Sequence, residues 1–208
     1  MQNLKIVFFL IFTGSVLFSV NSCKSNYSKN LSQDSQRIKQ QDSLAFELCQ
    51  IYGSDQGIRD MKLISRKETG ALRFSPHLDS INFFKILNFV KKNGIPNEGL
   101  LGEENFAVEC VEGALYAVLL HTPHMLVNNK QYLDVFLDQV NQGNLKTSTL
   151  ITILDKYYVI RKDDFGNRKL LYGSQFGKPC LRYRKQSDSA RAAIGLAPLK
   201  LEEFKDCN

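Results

Sequence analysis

The sequence contains no Cys-x-x-Cys pair and only three histidines, His77, His121 and His124. Zinc sites normally draw three or four protein ligands, so zinc and thioredoxin-type chemistry have no support. His121 and His124 have His-x-x-His spacing, but Pro123 interrupts the helix that would carry both on one face. No metal site is expected. The Gly-x-Ser-x-Gly elbow that exposes a nucleophilic serine is also missing. Ser174 stands in "YGSQFG" (172–177) without the strand–turn–helix context such an elbow needs. There is no glycine-rich phosphate loop, and no cofactor is expected. No internal repeat and no second domain can be seen.

A membrane-spanning run is missing too. The apolar stretch from Ile6 to Val20 is about fifteen residues and includes Thr13, Gly14, Ser15 and Ser19, whereas a spanning helix needs roughly twenty apolar residues. Behind Lys5 it has the form of an export-signal core. It ends in Val20-Asn21-Ser22-Cys23, and a small residue directly before a cysteine here resembles a bacterial lipobox, with Cys23 the lipidated first residue of the mature chain. Asn21 departs from the usual small or apolar residue. "KSNYSKNLSQDSQ" then follows, polar and without apolar periodicity. The expected organisation is a signal peptide at 1–22, a lipid-anchored flexible tether at 23–33 and one globular domain at 34–208. The expected location is the bacterial cell envelope, in the outer membrane facing the periplasm. No acidic run after Cys23 argues for display on the outer surface. The membrane is then a partner through Cys23, and nucleic acid is excluded by compartment.

Four further cysteines remain, Cys49, Cys110, Cys180 and Cys207, and an envelope compartment permits pairing. Three connectivities are open. Cys110, on the apolar helical pattern "FAVECVEGALYAVLL", reads as a buried free thiol. The formal charge of +6 is unevenly placed: Lys156 to Arg191 holds ten Lys/Arg against three Asp. That segment reads as a solvated basic face or as a surface for anionic partners.

What is present is mostly helical periodicity. Residues 34–52 carry Ile38, Leu44, Leu48 and Ile51 at helical spacing. "SPHLDSINFFKILNFVKKNG" follows, with Ser75 as cap, Pro76 at the first turn and Lys91-Lys92 before Gly94. A loop at 94–102 leads to a third helix from Glu103 to His121, with further helices at about 128–142 and 146–156, where Thr147 would cap. "YYVIR" and "RKLLYG" around "KDDFGN" read as a β-hairpin near 157–173. A short helix stopped by Gly195 and another begun near Pro198 complete the chain. The fold class predicted is mainly α (α+β), a single-domain bundle of six or seven helices with one small hairpin.

Five small motifs accumulate in order. They are "DQGIRD" (Asp55, Gln56, Arg59), "DSIN" (Asp79, Asn82), "GIPNEGLLG" (94–102), His121 at a helix end, and "YGSQ" followed by "ARAAIGLAPL" (Arg191, Gly195, Leu196). Together these resemble the markers of an uncharacterised bacterial domain family whose members are often lipoproteins. The resemblance covers about residues 46–204. Ile95 stands where the family usually has Trp, and Leu170 where members often have Gln. The resemblance implies domain boundaries and a residue list, and no reaction.

The candidate ligand-binding residues are Asp55, Gln56, Arg59 and Asn82, with His121, Tyr172, Gln175 and Arg191. Asp55 and Arg59, four apart, read as a surface ion pair or as an anion clamp whose fork Asp55 holds. Asn82, among Ile81, Phe83 and Phe84, must bond a loop backbone such as 94–102 or line a cavity. His121 caps carbonyls or acts as a general base. Tyr172 would offer a stacking face and hydroxyl, Gln175 a donor and acceptor, and the arginines charge. Arg59, Asn82, His121, Tyr172, Gln175 and Arg191 are expected to converge in one cleft. The leading function is a non-catalytic envelope lipoprotein with a polar, cationic pocket for an anionic or carbohydrate-like ligand, a small molecule or a cell-wall fragment. The alternatives are an envelope hydrolase with His121 as base, and an interaction or immunity-type protein without a pocket.

Overall fold

The structure, a computed structural model, describes residues 32–57, Arg59 and residues 76–207. The expected signal segment, Cys23, nearly all of the tether and the Ser75 cap lie outside the described residues. The chain divides into two compact units, Met1–Leu44 and Ala45–Asn208. In the first, residues 32–44 are helical and mostly exposed, with an ion pair between Asp34 and Arg37 at 3.6 Å. The second holds the hydrophobic core and all the candidate site residues.

Helix α1 covers residues 32–57. It is followed by α2 (Pro76–Asn93), α3 (Glu98–Leu101), α4 (Glu103–Phe106), α5 (Glu109–His121), α6 (Pro123–Val127), α7 (Lys130–Asn141), α8 (Thr147–Val159) and α9 (Arg184–Ala192). Single 3-10 turns lie at Leu181–Tyr183 and Leu201–Glu203. The mainly helical class is as expected. The count is higher, nine α-helices among the described residues against six or seven, because α3, α4 and α6 are only four or five residues long. No helix among the described residues is long and apolar enough to cross a membrane.

Helix α2 buries Phe83, Ile86, Leu87, Phe89 and Val90 against α5 and α7, while α8 packs on α5, α6 and α7. From those neighbours come Val118, Leu119, Leu126 and Phe136, all fully buried. Each such side chain contributes about 1.5–3 kcal/mol. A helix of α5's length is marginal alone in water, so packing rather than propensity holds these elements. The expected helix 103–121 breaks at Val108, which is extended and whose carbonyl accepts from Val111 and Glu112 to start α5 afresh. Lys146 rather than Thr147 occupies the cap of α8.

A seam joins α1 to α5. Cys49 and Cys110 form a disulfide, so Cys110 is not the free thiol expected from its apolar surroundings. One turn on, Tyr52 donates to Glu109 at 3.1 Å, and that bond, with burial, pushes the phenol's pKa up. The Tyr52 ring lies so close to α5 that a Cβ at Gly113 would meet it at 3.1 Å. A second disulfide, Cys180–Cys207, ties the C-terminal tail beside a parallel bridge between Cys180 and Lys205.

The β-hairpin expected near 157–173 is not formed. Tyr157, Tyr158 and Val159 instead finish α8, because the stripe of Leu150, Ile153 and Leu154 continues at helical spacing past Lys156. Arg161 closes that helix by donating to the Tyr157 carbonyl, with its guanidinium 3.5 Å from the Tyr157 ring centroid. What remains of the hairpin is one antiparallel bridge, Lys162 to Arg168, around a turn that Asp163 organises. Its carboxylate accepts from the backbone of Phe165 at 3.0 Å and Asn167 at 2.8 Å, and from the Tyr183 hydroxyl at 2.8 Å.

Burial pushes the Asp163 carboxyl upward, but the Tyr183 hydroxyl and the Asn167 and Phe165 donors outweigh it and hold the pKa down at about 2, from 3.8. The folded state thus holds this proton less tightly than the unfolded chain. Its stabilisation is complete above about 3.8 and is lost as the pH falls through about 2. Asp163→Asn is expected to be less stable than the parent at neutral pH by denaturant unfolding, with the difference shrinking across that window. A difference constant with pH would contradict the role given to the carboxylate charge.

Candidate functional site

Asp55 lies on the buried stripe of α1, with Leu48 and Ile51 at the preceding positions, and has no exposed surface. A carboxylate in that position must be paired or fully hydrogen-bonded. Arg59 donates through Nη1 to Asp55 Oδ1 at 3.1 Å and to the Asp55 carbonyl at 2.5 Å. Its Nη2 reaches Asp79 Oδ1 on α2, also at 2.5 Å. Gln56 Nε2 donates to Asp55 Oδ2 at 2.9 Å, and His121 Nδ1 meets the same oxygen at 2.8 Å. One guanidinium therefore sits between two carboxylates. The Asp55–Arg59 contact is not a surface ion pair: Asp55 is fully buried and holds the fork of Arg59.

The pairing also defines the imidazole. A carboxylate only accepts, so Nδ1 of His121 carries the hydrogen toward Asp55, and in the neutral ring Nε2 is the free acceptor. The ring is 29% exposed and borders a cavity of about 400 Å³. His124, Lys156, Tyr157 and Arg161 line the same cavity, with Arg59 and Asp79 at its inner side. Pro123 does end α5 before His124, but α6 begins at once, so both histidines still face one space. Among the described residues neither Lys156 nor Arg161 forms an ion pair, and no group of three His, Cys, Asp or Glu side chains is placed to hold a metal.

The YGSQFG segment lies elsewhere. Its organiser is Asp155 of α8, fully buried, whose Oδ1 accepts from the backbone N–H groups of Leu171 and Tyr172 at 3.0 Å each. Its Oδ2 accepts from Ser174 N at 3.1 Å. Gly173 between them has φ 71°, and a Cβ there would come within 3.1 Å of Leu199, so glycine is required by both conformation and space. Arg191 of α9 donates to the carbonyls of Tyr172 at 2.5 Å and Ala197 at 2.7 Å. Ser187 donates to the Leu171 carbonyl at 2.5 Å. Tyr172 itself is buried against Tyr158 and offers no stacking face; burial foremost pushes its phenol pKa up. Gln175 is exposed, donating to the Tyr116 hydroxyl at 3.3 Å. With Ser148, Thr149, Thr152 and Ser174 these two line a second cavity of about 330 Å³.

The six residues expected in one cleft are thus distributed. Arg59 and His121 gather at the first cavity, with Asp55 and Gln56 behind them. Gln175 lines the second, while Tyr172 and Arg191 build the turn beneath it. Asn82 is fully buried, and neither of its amide atoms has a hydrogen-bond partner among the described residues. Sequence reasoning missed Asp155, Lys156 and Tyr116. Asp155 left a readable signal, a single acidic residue within the apolar pattern "TLITILDKYYV".

No family model, curated protein or solved structure matches the chain at a significant level.

Replacing Asp155 by Ala leaves three backbone donors without their acceptor. The variant is expected to lose about 3 kcal/mol or more in urea unfolding, and Asp155→Asn less, because the amide oxygen still accepts. A loss below about 1 kcal/mol for Asp155→Ala would show that the turn holds itself.

Proposed function

We propose that the protein is an exported envelope lipoprotein, anchored through Cys23, that binds an anionic ligand in the His121 cavity. Membership of the uncharacterised family whose five markers it resembles belongs to the same reading. The observation that carries it is a charge balance. Arg59, Lys156 and Arg161 stand against two carboxylates, Asp79 in the lining and Asp55 behind it. Arg59 is shared by both carboxylates, and Lys156 and Arg161 form no ion pair among the described residues, so with a neutral His121 the set keeps an excess of positive charge. Low-dielectric walls concentrate such a field on whatever enters. Two disulfides fit an oxidising compartment and support export.

A second reading is an envelope hydrolase, favoured by one observation. The 2.8 Å contact with buried Asp55 fixes the His121 ring and leaves its other nitrogen to take a proton. Among the described residues no serine or cysteine lines that cavity, so the attacking group in this reading is water.

Thermal unfolding of the full chain in detergent, with inorganic phosphate and with acetate, tests the binding reading. A ligand at about a hundred times its Kd adds about 2.7 kcal/mol, so the midpoint rises with anion concentration. In Lys156→Ala/Arg161→Ala that rise is expected to vanish; the anion-free midpoint falls as well, because Arg161 also closes α8 on the Tyr157 carbonyl, so the rise is read against the variant's own anion-free midpoint. An equal rise in parent and double variant would place anion binding elsewhere.

A further inference from the structure

The two cavities are not independent features of the surface. Both lie on the α5–α8 seam, displaced by one helical turn. On α5, Tyr116 borders the second cavity, and Leu120, four residues on, borders the first. On α8, Thr149 and Thr152 border the second, and Lys156 and Ile160 the first. Steps of three and four place each set on a single helical stripe. The YGSQFG turn runs along the same seam: Gln175 reaches Tyr116 on α5, and the Phe176 ring lies 5.5 Å from the Lys156 ammonium on α8. One turn therefore touches both compartments, and the line from Ser148 to Lys156 spans about 12 Å by helical rise.

Their chemistries differ. Around the second cavity are the hydroxyls of Tyr116, Ser148, Thr149 and Ser174 and the carboxamide of Gln175, none of them charged. That is a dense set of neutral donors and acceptors with one aromatic ring among them. The first cavity contributes cations. From this juxtaposition we propose that the seam is one extended groove for an acidic oligosaccharide, with a sugar ring among the hydroxyls and its anionic group beside Lys156 and Arg161. The inference rests on the anion-binding reading and extends it to a ligand class. A peptide fits less well. At the neutral end a peptide would need a sheet edge for backbone pairing or apolar anchors, and among the described residues there is no strand and Ile151 is the sole aliphatic side chain lining that end, Leu120, Pro123 and Ile160 lying in the first cavity. The side chains there match a polyol instead, since each hydroxyl and amide both donates and accepts. The weak 3.3 Å contact between Gln175 and Tyr116 exchanges for contacts to sugar hydroxyls at little cost.

The test is titration calorimetry of the full chain in detergent with four probes: galacturonate, a short oligogalacturonate, the uncharged cello-oligosaccharide of equal length, and oligoglutamate. The acidic oligosaccharide is expected to bind about tenfold tighter than the acid monosaccharide or more, the equivalent of one or two added hydrogen bonds. In Gln175→Ala, whose side chain is exposed and whose loss leaves the core untouched, that ratio falls towards one. Tyr116→Phe, which keeps the ring and removes the hydroxyl, lowers it as well. Equal affinity for monomer and oligomer in the parent overturns the groove while leaving the anion site standing. Tighter binding of oligoglutamate overturns the glycan assignment in favour of an acidic peptide. If the uncharged oligosaccharide binds as tightly as the acidic one, or if no acid binds at all, the anion reading fails together with the groove.

Discussion

A carboxylate removed from water has to be answered at every lone pair it presents, and Asp55 is answered from three directions. Arg59 comes from the end of its own helix, Gln56 from the next residue, and His121 from the end of α5. Because Arg59 also holds Asp79, this one network ties α1, α2 and α5 together at the edge of the cavity. Removing one member of a buried ion pair typically costs about 3–5 kcal/mol, because the partner is left charged and alone. The cost reflects geometry more than net attraction, and the geometry is what the site needs. His121 has a fixed ring, and the shared guanidinium offsets one of the two carboxylate charges, leaving Lys156 and Arg161 to outweigh the other.

Asp155 performs the comparable task for the neighbouring compartment. Its two oxygens take three backbone donors from the turn at 171–174, while Arg191 and Ser187 of α9 take the carbonyls of the same segment. The turn has no strand partner, so side chains stand in for the ladder that a hairpin would have provided. Consequently Gln175 and Phe176 project from a rigid base onto the α5–α8 seam. The Cys180–Cys207 disulfide and the Lys178 bond to the Glu202 carbonyl at 2.8 Å fix the tail behind it. A disulfide closing a loop of this size contributes roughly 2–4 kcal/mol by restricting the unfolded chain.

Periodicity made α2 legible, since its apolar spacing, closing Gly94 and terminal Lys91-Lys92 all reported the same element, while Gly143 and Gly195 marked where α7 and α9 stop. The hairpin was misread for a definite reason. "YYVIR" is rich in aromatic and β-branched residues, yet Tyr157 and Tyr158 continue a stripe already begun at Leu150, and tertiary packing overrides propensity there. Cys110 was read from its own apolar surroundings, and a disulfide depends on what packs opposite, here Cys49 across the seam. The site was legible in part. The Asp-Gln-x-x-Arg spacing and the Asp79 of Asp-x-x-Asn pointed to residues that do meet, because Asp55, Arg59 and Asp79 act through short side-chain contacts, and Asn82 stays outside them. Tyr172 and Arg191 were credited with ligand chemistry, whereas Tyr172 engages through its main chain, with the Asp155 carboxylate and the Arg191 guanidinium, and Arg191 donates to carbonyls. A residue type does not disclose whether its partner is a ligand or a carbonyl. Lys156 drew no attention as one cation in a long basic run, and only the fold singles it out, at the junction of two cavities.

The central claim is that an anion binds in the His121 cavity beside Lys156 and Arg161, next to a ring whose Nδ1 is held by Asp55. Nitrogen-15 NMR of the histidine side chains, recorded while inorganic phosphate is added, reads both nitrogens separately. The account predicts that the Nε2 resonance of His121 moves and saturates with phosphate, while Nδ1 keeps the signature of a protonated nitrogen bonded to a carboxylate, lost in Asp55→Asn. A His121 spectrum indifferent to phosphate, or one in which the proton resides on Nε2 in the absence of anion, would contradict it.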